Sequence, residues 1–302
     1  MSDHRPTFPI TEKAYAKLNI SLDVTARRSD GYHDMLMIMQ TVSLCDELTI
    51  SQEEGGLVHA VTSLPYVPGD RRNLAVRAAL TFLELVGDEG RGMKISIRKN
   101  IPVGAGMAGG SADAAAVLRA LNRAYGRPLS DEALCAAGES VGSDVAFCLR
   151  GGTMLASGRG EILQPLTPLP PCYFAICKPD FSISTPELFQ KLDGARLNCH
   201  PDTEGLLSAL EKKDLDGLCR RMYNVFEDVP DRRMRTIRAA KGALLDCGAL
   251  GALMTGTGSA VFGVFRDAAA AGKACETLKK EYRFCCTAEA VGALMADTNP
   301  VR

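Results

Sequence analysis

The chain lacks any strong excess of charge of one sign. Its 302 residues include 35 Lys and Arg against 36 Asp and Glu, which leaves a net charge of −1. No overall field therefore attracts nucleic acid or an anionic membrane. No apolar run approaches the roughly 20 residues that a membrane helix needs. We expect a small-molecule partner, no nucleic-acid or membrane partner, and a protein that is either a monomer or a homodimer.

The eleven cysteines lack the spacing of a metal site, since none forms a CxxC pair and no histidine lies at ligand spacing from one. The first ten residues lack both an apolar signal core and an Arg- and Ser-rich transit pattern. An odd number of cysteines without such a signal favours reduced thiols in a cytosol. The sequence therefore predicts a cytoplasmic protein with no metal site built from its own side chains.

Internal repeats, low-complexity segments and a regular βαβ alternation are also missing. The mixed order of predicted strands and helices indicates an α+β fold. A chain of 302 residues is long for one core and sufficient for two. Because four prolines crowd residues 165–171, we place a domain boundary there, with one domain at 1–165 and the other at 166–302.

Hydrophobic periodicity and turn residues predict the individual elements. The alternation of residues 14–24 predicts a strand with one buried apolar face, and Lys17 and Asn19 lie on its polar face. Asn73 and Gly87 are the predicted cap and stop of one helix. Further strands are predicted at 36–44, 47–51, 57–61, 93–97, 173–177 and 284–287, two short strands between 253 and 265, and helices after 110, from 130, from 185, and at 204–226, 231–246 and 267–281.

A glycine-rich loop, PVGAGMAGGS at residues 102–111, lies between a predicted strand and a predicted helix and has four glycines in seven residues. Glycine allows positive φ and close backbone approach. The free amides and the dipole at the start of the following helix favour an anion, and phosphate is the anion that we expect to bind there. An ordinary strand-to-helix turn is the less favoured interpretation.

Two other nucleotide-binding patterns fit this loop less well. Residues 104–109 match the dinucleotide fingerprint GxGxxG, but residues 98–102 separate them from the preceding strand. Asp131 lies at the distance of the required acid, yet it belongs to a capped helix start. No GK[ST] follows, so the loop is not a Walker loop. A dinucleotide-binding dehydrogenase is disfavoured because the loop does not follow its strand directly and Asp131 does not end a second strand.

Asp144 lies among small and apolar residues at 142–147, and is there either a helix cap or a functional group. Lys17 taken alone is a solvated strand residue. Phosphoryl transfer gives the two residues a common purpose, because that reaction needs the phosphates held and the acceptor hydroxyl deprotonated. The loop would hold ATP, Asp144 would take the proton, and Lys17 would keep Asp144 ionised. Mg²⁺ would arrive with ATP, and Ser111 could offer it an oxygen.

Three motifs occur in the order typical of the GHMP kinase superfamily, which this chain resembles over nearly its whole length. They are Ala16–Asn19, the loop end Gly109–Ala114, and the late glycine turn Thr255–Ser259. The resemblance implies a two-domain GHMP kinase fold. It would have a ribosomal-S5-like α+β N-terminal domain and a smaller α/β C-terminal domain, with the active site in the cleft between them.

The segment Arg27–His33 is similar to the substrate segment of the kinases that act on 4-diphosphocytidyl-2-C-methyl-D-erythritol. By resemblance, Lys17 and Asp144 match the catalytic pair. The positions assigned to ATP are Asn73, Pro102, Val103, Gly104, Ala105, Gly106, Met107, Ala108, Gly109, Gly110, Ser111 and Ala112. The positions that the resemblance assigns to the substrate are Asn19, Tyr32, His33, Thr185 and Phe189.

The implied reaction is ATP-dependent phosphorylation of the 2-hydroxyl of the methylerythritol unit, in the non-mevalonate route to isoprenoid precursors. Tyr32 would lie beside the cytosine, His33 would read its edge and Phe189 would stack on it, although simple packing is an alternative for Tyr32 and Phe189. The rival functions are a GHMP kinase of mevalonate, homoserine or a sugar, and a catalytically inactive GHMP-fold sensor. Ala108 and Ala146 depart from the family's usual Gly and Pro.

Overall fold

A computed structural model describes residues 6–295 except residues 196 and 198. The strands are β1 (Ile10–Arg27), β2 (His33–Glu53), β3 (Val58–Thr62), β4 (Gly92–Arg98), β5 (Thr153–Gly158), β6 (Ile162–Pro165), β7 (Tyr173–Lys178), β8 (Tyr223–Asn224), β9 (Gly251–Met254), β10 (Val261–Phe265) and β11 (Phe284–Glu289). The helices are α1 (Leu74–Val86), α2 (Gly109–Ala124), α3 (Asp131–Val141), α4 (Val145–Arg150), α5 (Thr185–Asp193), α6 (Thr203–Glu211), α7 (Leu215–Arg221), α8 (Met234–Asp246) and α9 (Ala268–Leu278), with a 3₁₀ helix at Val225–Asp228.

The first sheet is built on a long antiparallel pair, β1 and β2, which runs from Ile10 opposite Ile50 to Arg27 opposite His33. Its strand order is β3-β4-β2-β1-β8, with β5 on β2 and β6 on β5. Helices α1, α2 and α4 pack against this sheet. Helix α2 packs against β1 and β2, and the glycine-rich loop leads directly into it.

The second sheet has the order β11-β7-β10-β9, and α8 and α9 pack against it. The later half of the chain also enters the first sheet, because β8 pairs in parallel with β1, with Tyr223 beside Ser21. After β11 the amide of Val291 donates to the carbonyl of Thr41 at 2.8 Å. These crossings fix the two sheets against each other.

Both faces of β1 are buried, which corrects the predicted one-sided strand. The apolar residues from Ala14 to Val24 are at most 7% exposed, as predicted, but Lys17 on the opposite face is only 4% exposed and Asn19 is 0% exposed. The late glycine turn contacts that face, because the amide of Gly256 donates to Oδ1 of Asn19 at 3.0 Å. The interpretation of Lys17 as a solvated strand residue is therefore wrong.

The single helix predicted at 204–226 is wrong, because α6, α7, β8 and the 3₁₀ helix occupy that stretch. Lys213 has a φ of 53°, which ends the helical path, and the Asp214 carboxylate caps α7 by accepting from the amide of Gly217 at 2.8 Å. The chain leaves the helical path again at Asn224, because the side-chain amide of Asn224 donates to the carbonyl of Met254 at 2.8 Å. Short-range capping and a distant backbone partner thus override the periodicity.

Smaller differences concern the bounds of two elements and the elements that were not predicted. β2 is one strand where two were predicted, since Cys45 stays in register opposite Tyr15. Helix α8 begins at Met234 instead of 231 because Asp231 accepts from the amide of Arg233 at 2.8 Å and forms a turn. Strands β5 and β6 and helix α4 were not predicted. The other predicted strands and helices are confirmed within a few residues. None of the helices in the described ranges combines the length and apolarity of a membrane span.

Candidate active site

The glycine-rich loop connects β4 to α2 and takes left-handed backbone at three positions. The φ angles are 63° at Gly104, 75° at Gly106 and 56° at Ala108. Space is also limiting at Gly106, because a Cβ there would lie 2.1 Å from the carbonyl oxygen of Thr255. Glycine is therefore required at Gly106, where the loop approaches Thr255 closely.

Backbone hydrogen bonds hold the loop between the two halves of the chain. The amide of Lys17 on β1 donates to the carbonyl of Met107 at 3.2 Å. The amide of Ala260, which follows the late glycine turn (residues 255–259), donates to the carbonyl of Ala105 at 3.1 Å. The loop conformation thus depends on contacts to both sides of the site.

The N-terminus of α2 presents backbone amides that no side chain caps. Ala108 at the N-cap makes no side-chain hydrogen bond, and the first turn contains no acidic residue. Gly110 is exposed and Ser111 is partly exposed. The first amides of a helix lack intrahelical acceptors and the dipole adds partial positive charge, so this end favours an anion such as phosphate.

A buried trio of charged side chains adjoins the loop. Nζ of Lys99 lies 2.5 Å from a carboxylate oxygen of Asp46 and 2.6 Å from one of Asp113. The other oxygen of Asp46 accepts from the amides of Asn100 at 2.5 Å and Ile101 at 2.8 Å. Burial raises the pKa of Asp113 to about 8, although Lys99 opposes that shift. The trio ties the end of β4 and the start of α2 to β2.

Asp144 is the N-cap residue of α4, but its carboxylate makes no capping hydrogen bond to that helix. Burial lowers the pKa of Lys17, and the nearby carboxylate of Asp144 opposes that shift. Nζ of Lys17 is held 2.5 Å from Oδ1 of Asn19. Lys17 and Asp144 thus lie close enough to interact electrostatically, with no direct ion pair between them among the described residues, and the Asp144 carboxylate has no capping role.

Leu74, the first residue of α1, marks the point where three segments of the site meet. Its Cδ1 lies 3.5 Å from a Cβ placed on Gly110 and 3.7 Å from one placed on Gly142. Oγ of Ser111 lies 3.9 Å from that same position on Gly142. The start of α2 is therefore adjacent to the segment that carries Asp144.

Asn19 couples Lys17 to the late glycine turn. Its Oδ1 accepts from Nζ of Lys17 and, at 3.0 Å, from the amide of Gly256. Its own amide donates to Oγ1 of Thr255 at 3.0 Å. Because the side chain is fully buried, its clearest action is to orient Lys17, and its contact with a substrate stays a prediction.

Three predicted substrate residues, Tyr32, His33 and Phe189, lie in one region. The Phe189 ring on α5 stacks on the His33 imidazole, with centroids 4.7 Å apart and planes at 26°, and meets the edge of Phe226 at 4.9 Å. Tyr32 is 57% exposed, and the Arg159 guanidinium lies 5.2 Å from its ring centroid. Phe189 thus has a packing role, and its stacking on a nucleobase stays a prediction.

Thr185 and Asn73 both lie at helix starts. Oγ1 of Thr185 is 2.8 Å from Oγ1 of Thr257, which links α5 to the late glycine turn. Oδ1 of Asn73 accepts from the amide of Ala75 at 3.0 Å, and its Nδ2 donates to the carbonyl of Pro68 at 2.9 Å. The predicted cap is confirmed, and a role for Asn73 beside adenine stays a prediction.

Known proteins share this arrangement. The GHMP kinases N terminal domain matches residues 73–152, which include the loop and Asp144, and the GHMP kinases C terminal domain matches residues 206–283. The 4-diphosphocytidyl-2-C-methyl-D-erythritol kinases of Clostridium perfringens and Syntrophomonas wolfei are 42% and 44% identical to the chain over 272 residues, which is 90% of this chain and 94% of each relative. The chain belongs to the 4-diphosphocytidyl-2-C-methyl-D-erythritol kinase family of the GHMP kinases.

A crystal structure of 4-(cytidine 5'-diphospho)-2C-methyl-D-erythritol kinase is similar to this kinase, with a TM-score of 0.78 and 32% identity over 93% of this chain and 99% of that chain. The predicted two-domain α+β GHMP kinase fold is therefore confirmed, and so is ATP as the phosphate donor of the family. The boundary near residue 165 stays a prediction, because residues 153–205 lie between the two matched domains.

The kinase contains charged groups that no local sequence pattern indicated. Asp113 lies within the loop motif, but Lys99 is 14 residues from it and 53 residues from Asp46. Asp193 contacts His33 from 160 residues away. Arg159 lies in the turn between two strands that were not predicted. The sequence contained one hint of the buried charged trio, which is the lysine Lys99 just before the glycine-rich loop.

Replacing Ala108 with Gly in this kinase is expected to raise the free energy of unfolding by about 0.5–1 kcal/mol. The reason is that a left-handed residue with a Cβ costs about 1–2 kcal/mol, of which part is offset by the greater chain entropy of glycine. Urea unfolding of both proteins measures the difference. Ala112→Gly, inside the same helix, should instead lower stability by about 1 kcal/mol. Equal losses in the two variants would show that Ala108 is unstrained.

Proposed function

We propose that this kinase transfers the γ-phosphate of ATP to the 2-hydroxyl of 4-diphosphocytidyl-2-C-methyl-D-erythritol, in the methylerythritol phosphate route to isoprenoid precursors. The observation that carries the proposal is the position of Asp144, whose carboxylate caps no helix and lies near buried Lys17. The uncapped start of α2 is next to the same segment. A phosphate site, a base and a cation are thus within one region.

Each of these groups has a separate task in the reaction. The loop and the amides at the start of α2 hold the phosphates of ATP, with Ser111 able to offer an oxygen to Mg²⁺ that enters with the nucleotide. Mg²⁺ would neutralise phosphate charge during transfer. The proton of the 2-hydroxyl passes to the Asp144 carboxylate while the hydroxyl oxygen bonds to the γ-phosphorus and ADP leaves. Lys17 stabilises the developing alkoxide.

The buried surroundings of Lys17 strengthen its effect. A charge in a site that excludes water interacts more strongly with a developing anion than the same charge does on the surface. Its ammonium is oriented by Asn19, which in turn is fixed by the late glycine turn. The cation therefore does not need to reorganise when the alkoxide forms.

The acceptor is proposed to enter beside Tyr32, His33 and Phe189, with Thr185 at the start of the same helix as Phe189. Aromatic rings next to an imidazole suit a pyrimidine, because stacking and one polar edge are both available. The proposal also includes a cytoplasmic location, no nucleic-acid partner and a monomer or homodimer. The eleven free thiols fit a reducing compartment.

A substrate panel tests the reaction. ATP consumption is measured with the cytidyl-erythritol substrate, mevalonate and homoserine under identical conditions, and only the first is expected to give turnover. CDP should also stabilise the folded kinase, by about 2.7 kcal/mol at 100 times its dissociation constant, because it binds only the folded state. Thermal unfolding with and without CDP measures that stabilisation.

The panel distinguishes the rival functions. Faster turnover of mevalonate or homoserine would replace the proposal with another GHMP kinase activity. Stabilisation by nucleotides without ATP consumption on any acceptor would point to a sensor. AMP at the same concentration as CDP is the control for binding of any nucleotide to the ATP loop.

A further inference from the structure

The chain after β11 forms a short strap, residues 290–294, that leaves the second sheet and continues onto the first. The amide of Val291 donates to the carbonyl of Thr41 on β2 at 2.8 Å. The amide of Leu294 donates to the carbonyl of Arg150, the last residue of α4, at 2.7 Å. The strap thus joins β2 to the end of α4, and the proposed reaction as described gives it no task.

A buried glutamine on β2 holds the strap in place. Gln40 is only 1% exposed. Its Nε2 donates to the carbonyl of Val291 at 2.9 Å and to that of Thr41 at 2.7 Å, and its Oε1 accepts from Oγ1 of Thr153 at 2.6 Å. A buried amide is costly unless its polar atoms are hydrogen-bonded. Because both ends of this amide are committed here, the contact between β2 and the strap is specific.

Two glycines allow the strap to pass close to the end of α4. The φ angles of Gly151 and Gly152 are 68° and 80°. A Cβ on Gly151 would lie 2.5 Å from Cγ of Leu294, and one on Gly152 would lie 3.2 Å from the amide nitrogen of Ala293. The strap therefore packs on the backbone that follows α4 without an intervening side chain. Such close packing transmits a displacement of one segment to the other.

The two elements that the strap joins are connected to the candidate base and its cation. Lys17 lies directly opposite Thr41 in the register of β1 and β2, and opposed residues of an antiparallel pair have Cβ atoms about 4.5–5.5 Å apart. Asp144 is the N-cap residue of α4, whose six residues span about 9 Å. In the described ranges no ion pair links Lys17 to Asp144, so their separation depends on the elements that carry them.

We propose that the strap is a positioning element of the reaction, which sets the distance between the Lys17 ammonium and the Asp144 carboxylate through its bonds to Thr41 and Arg150. The inference rests on the proposed function, in which both groups act on the acceptor hydroxyl. Phosphoryl transfer depends mainly on position and charge, and a misplacement of about 1 Å can cost about 100-fold in rate. Within the described residues the strap makes no hydrogen bond to the glycine-rich loop, so ATP binding should not depend on it.

Leu294→Pro in the full chain removes the amide that holds Arg150. Ala293 pairs with Gly151 in an isolated β-bridge, and extended backbone suits a residue that precedes proline. With the cytidyl substrate, kcat is expected to fall roughly 10- to 100-fold, whereas the Kd of ATP should stay within about twofold of the wild-type value. Turnover corrected for the folded fraction by circular dichroism measures the first quantity, and calorimetry measures the second.

Combining Leu294→Pro with Asp144→Asn separates positioning from a merely structural role. If the strap acts by placing the Asp144 carboxylate, a kinase that already lacks the carboxylate has little left to misplace. Adding Leu294→Pro to Asp144→Asn should then lower kcat by less than about threefold. A double variant whose loss equals the product of the two single losses would overturn the proposal.

Gly151→Ala tests the same contact from the side of α4, should Leu294→Pro fail to fold. Gly87→Ala is the matched control, because Gly151 and Gly87 end their helices with φ of 68° and 70°, yet a Cβ on Gly87 meets nothing within 4 Å. Both variants carry left-handed strain, but only Gly151→Ala meets the strap, so kcat should fall roughly tenfold or more in that variant alone. Wild-type kcat in a folded Gly151→Ala protein would contradict the inference.

The outcomes for the strap and for the reaction are distinguishable. A wild type that turns over the cytidyl substrate, with strap variants that keep its kcat, would overturn this inference alone. A wild type without turnover of that substrate would remove the proposed function together with it.

Discussion

Asp144→Asn is expected to lower kcat by about 10²–10⁴ while ATP still binds, because the amide cannot take the proton of the acceptor hydroxyl. The fold should tolerate the change, since the Asp144 carboxylate makes no capping bond to α4. Steady-state turnover measures the loss of rate, and calorimetry with ATP measures binding. The free energy of unfolding should change by no more than about 1 kcal/mol.

Asp267→Ala is the matched control for a carboxylate at a helix start. Asp267 does cap its helix, since it accepts from the amide of Ala270 at 2.8 Å. The control should therefore lose about 1 kcal/mol of stability and keep its kcat. Full turnover in Asp144→Asn would exclude Asp144 as the base, and a loss of stability like that of the control would return it to a structural role.

Lys17→Met is expected to lower kcat by about 10²–10³ without lowering the melting temperature. Methionine fills a similar volume, and Oδ1 of Asn19 keeps the amide of Gly256 as a donor. The lysine itself is costly to bury, as its lowered pKa indicates. Removing it should remove transition-state stabilisation and a destabilising charge together. Turnover and thermal unfolding measure the two effects.

The pH dependence of stability separates these effects further. Burial lowers the pKa of Lys17 below its ordinary value of 10.5, so the unfolded chain binds more protons over the interval between the two values. Wild-type stability should therefore rise with pH in that interval relative to Lys17→Met. Lys13→Met, at an exposed position of the same strand, should keep the wild-type rate and slope. A less stable Lys17→Met protein with parallel pH curves would mean that Lys17 acts in packing.

Much of the local structure could be predicted from the sequence. Asn73 and Ser130 were identifiable as helix caps, and both accept the expected backbone hydrogen bonds. The glycine-rich loop was identifiable from its glycines. Gly104 and Gly106 do adopt positive φ, which few other residues tolerate. The resemblance to the family added the prediction that Lys17 and Asp144 act as a pair, which spacing alone does not reveal.

Features that depend on distant partners were predicted poorly. The end of the helical path after α7 follows from the attachment of Asn224 to the carbonyl of Met254, 30 residues further on. The support of the loop by Lys99 requires carboxylates from two other elements. Periodicity describes which face of a segment is apolar, but it contains no information on what later covers the polar face.

The sequence by itself determined the glycine positions of the phosphate loop, the helix caps and the apolar face of β1, because each depends on dihedral preferences and neighbours a few residues away. Only the tertiary structure decided that Lys17 is buried, that the nearby Asp144 carboxylate caps no helix, and that Asp193 contacts the His33 imidazole. The reason is that desolvation and charge interactions act through space, between groups that folding brings together from opposite ends of the chain.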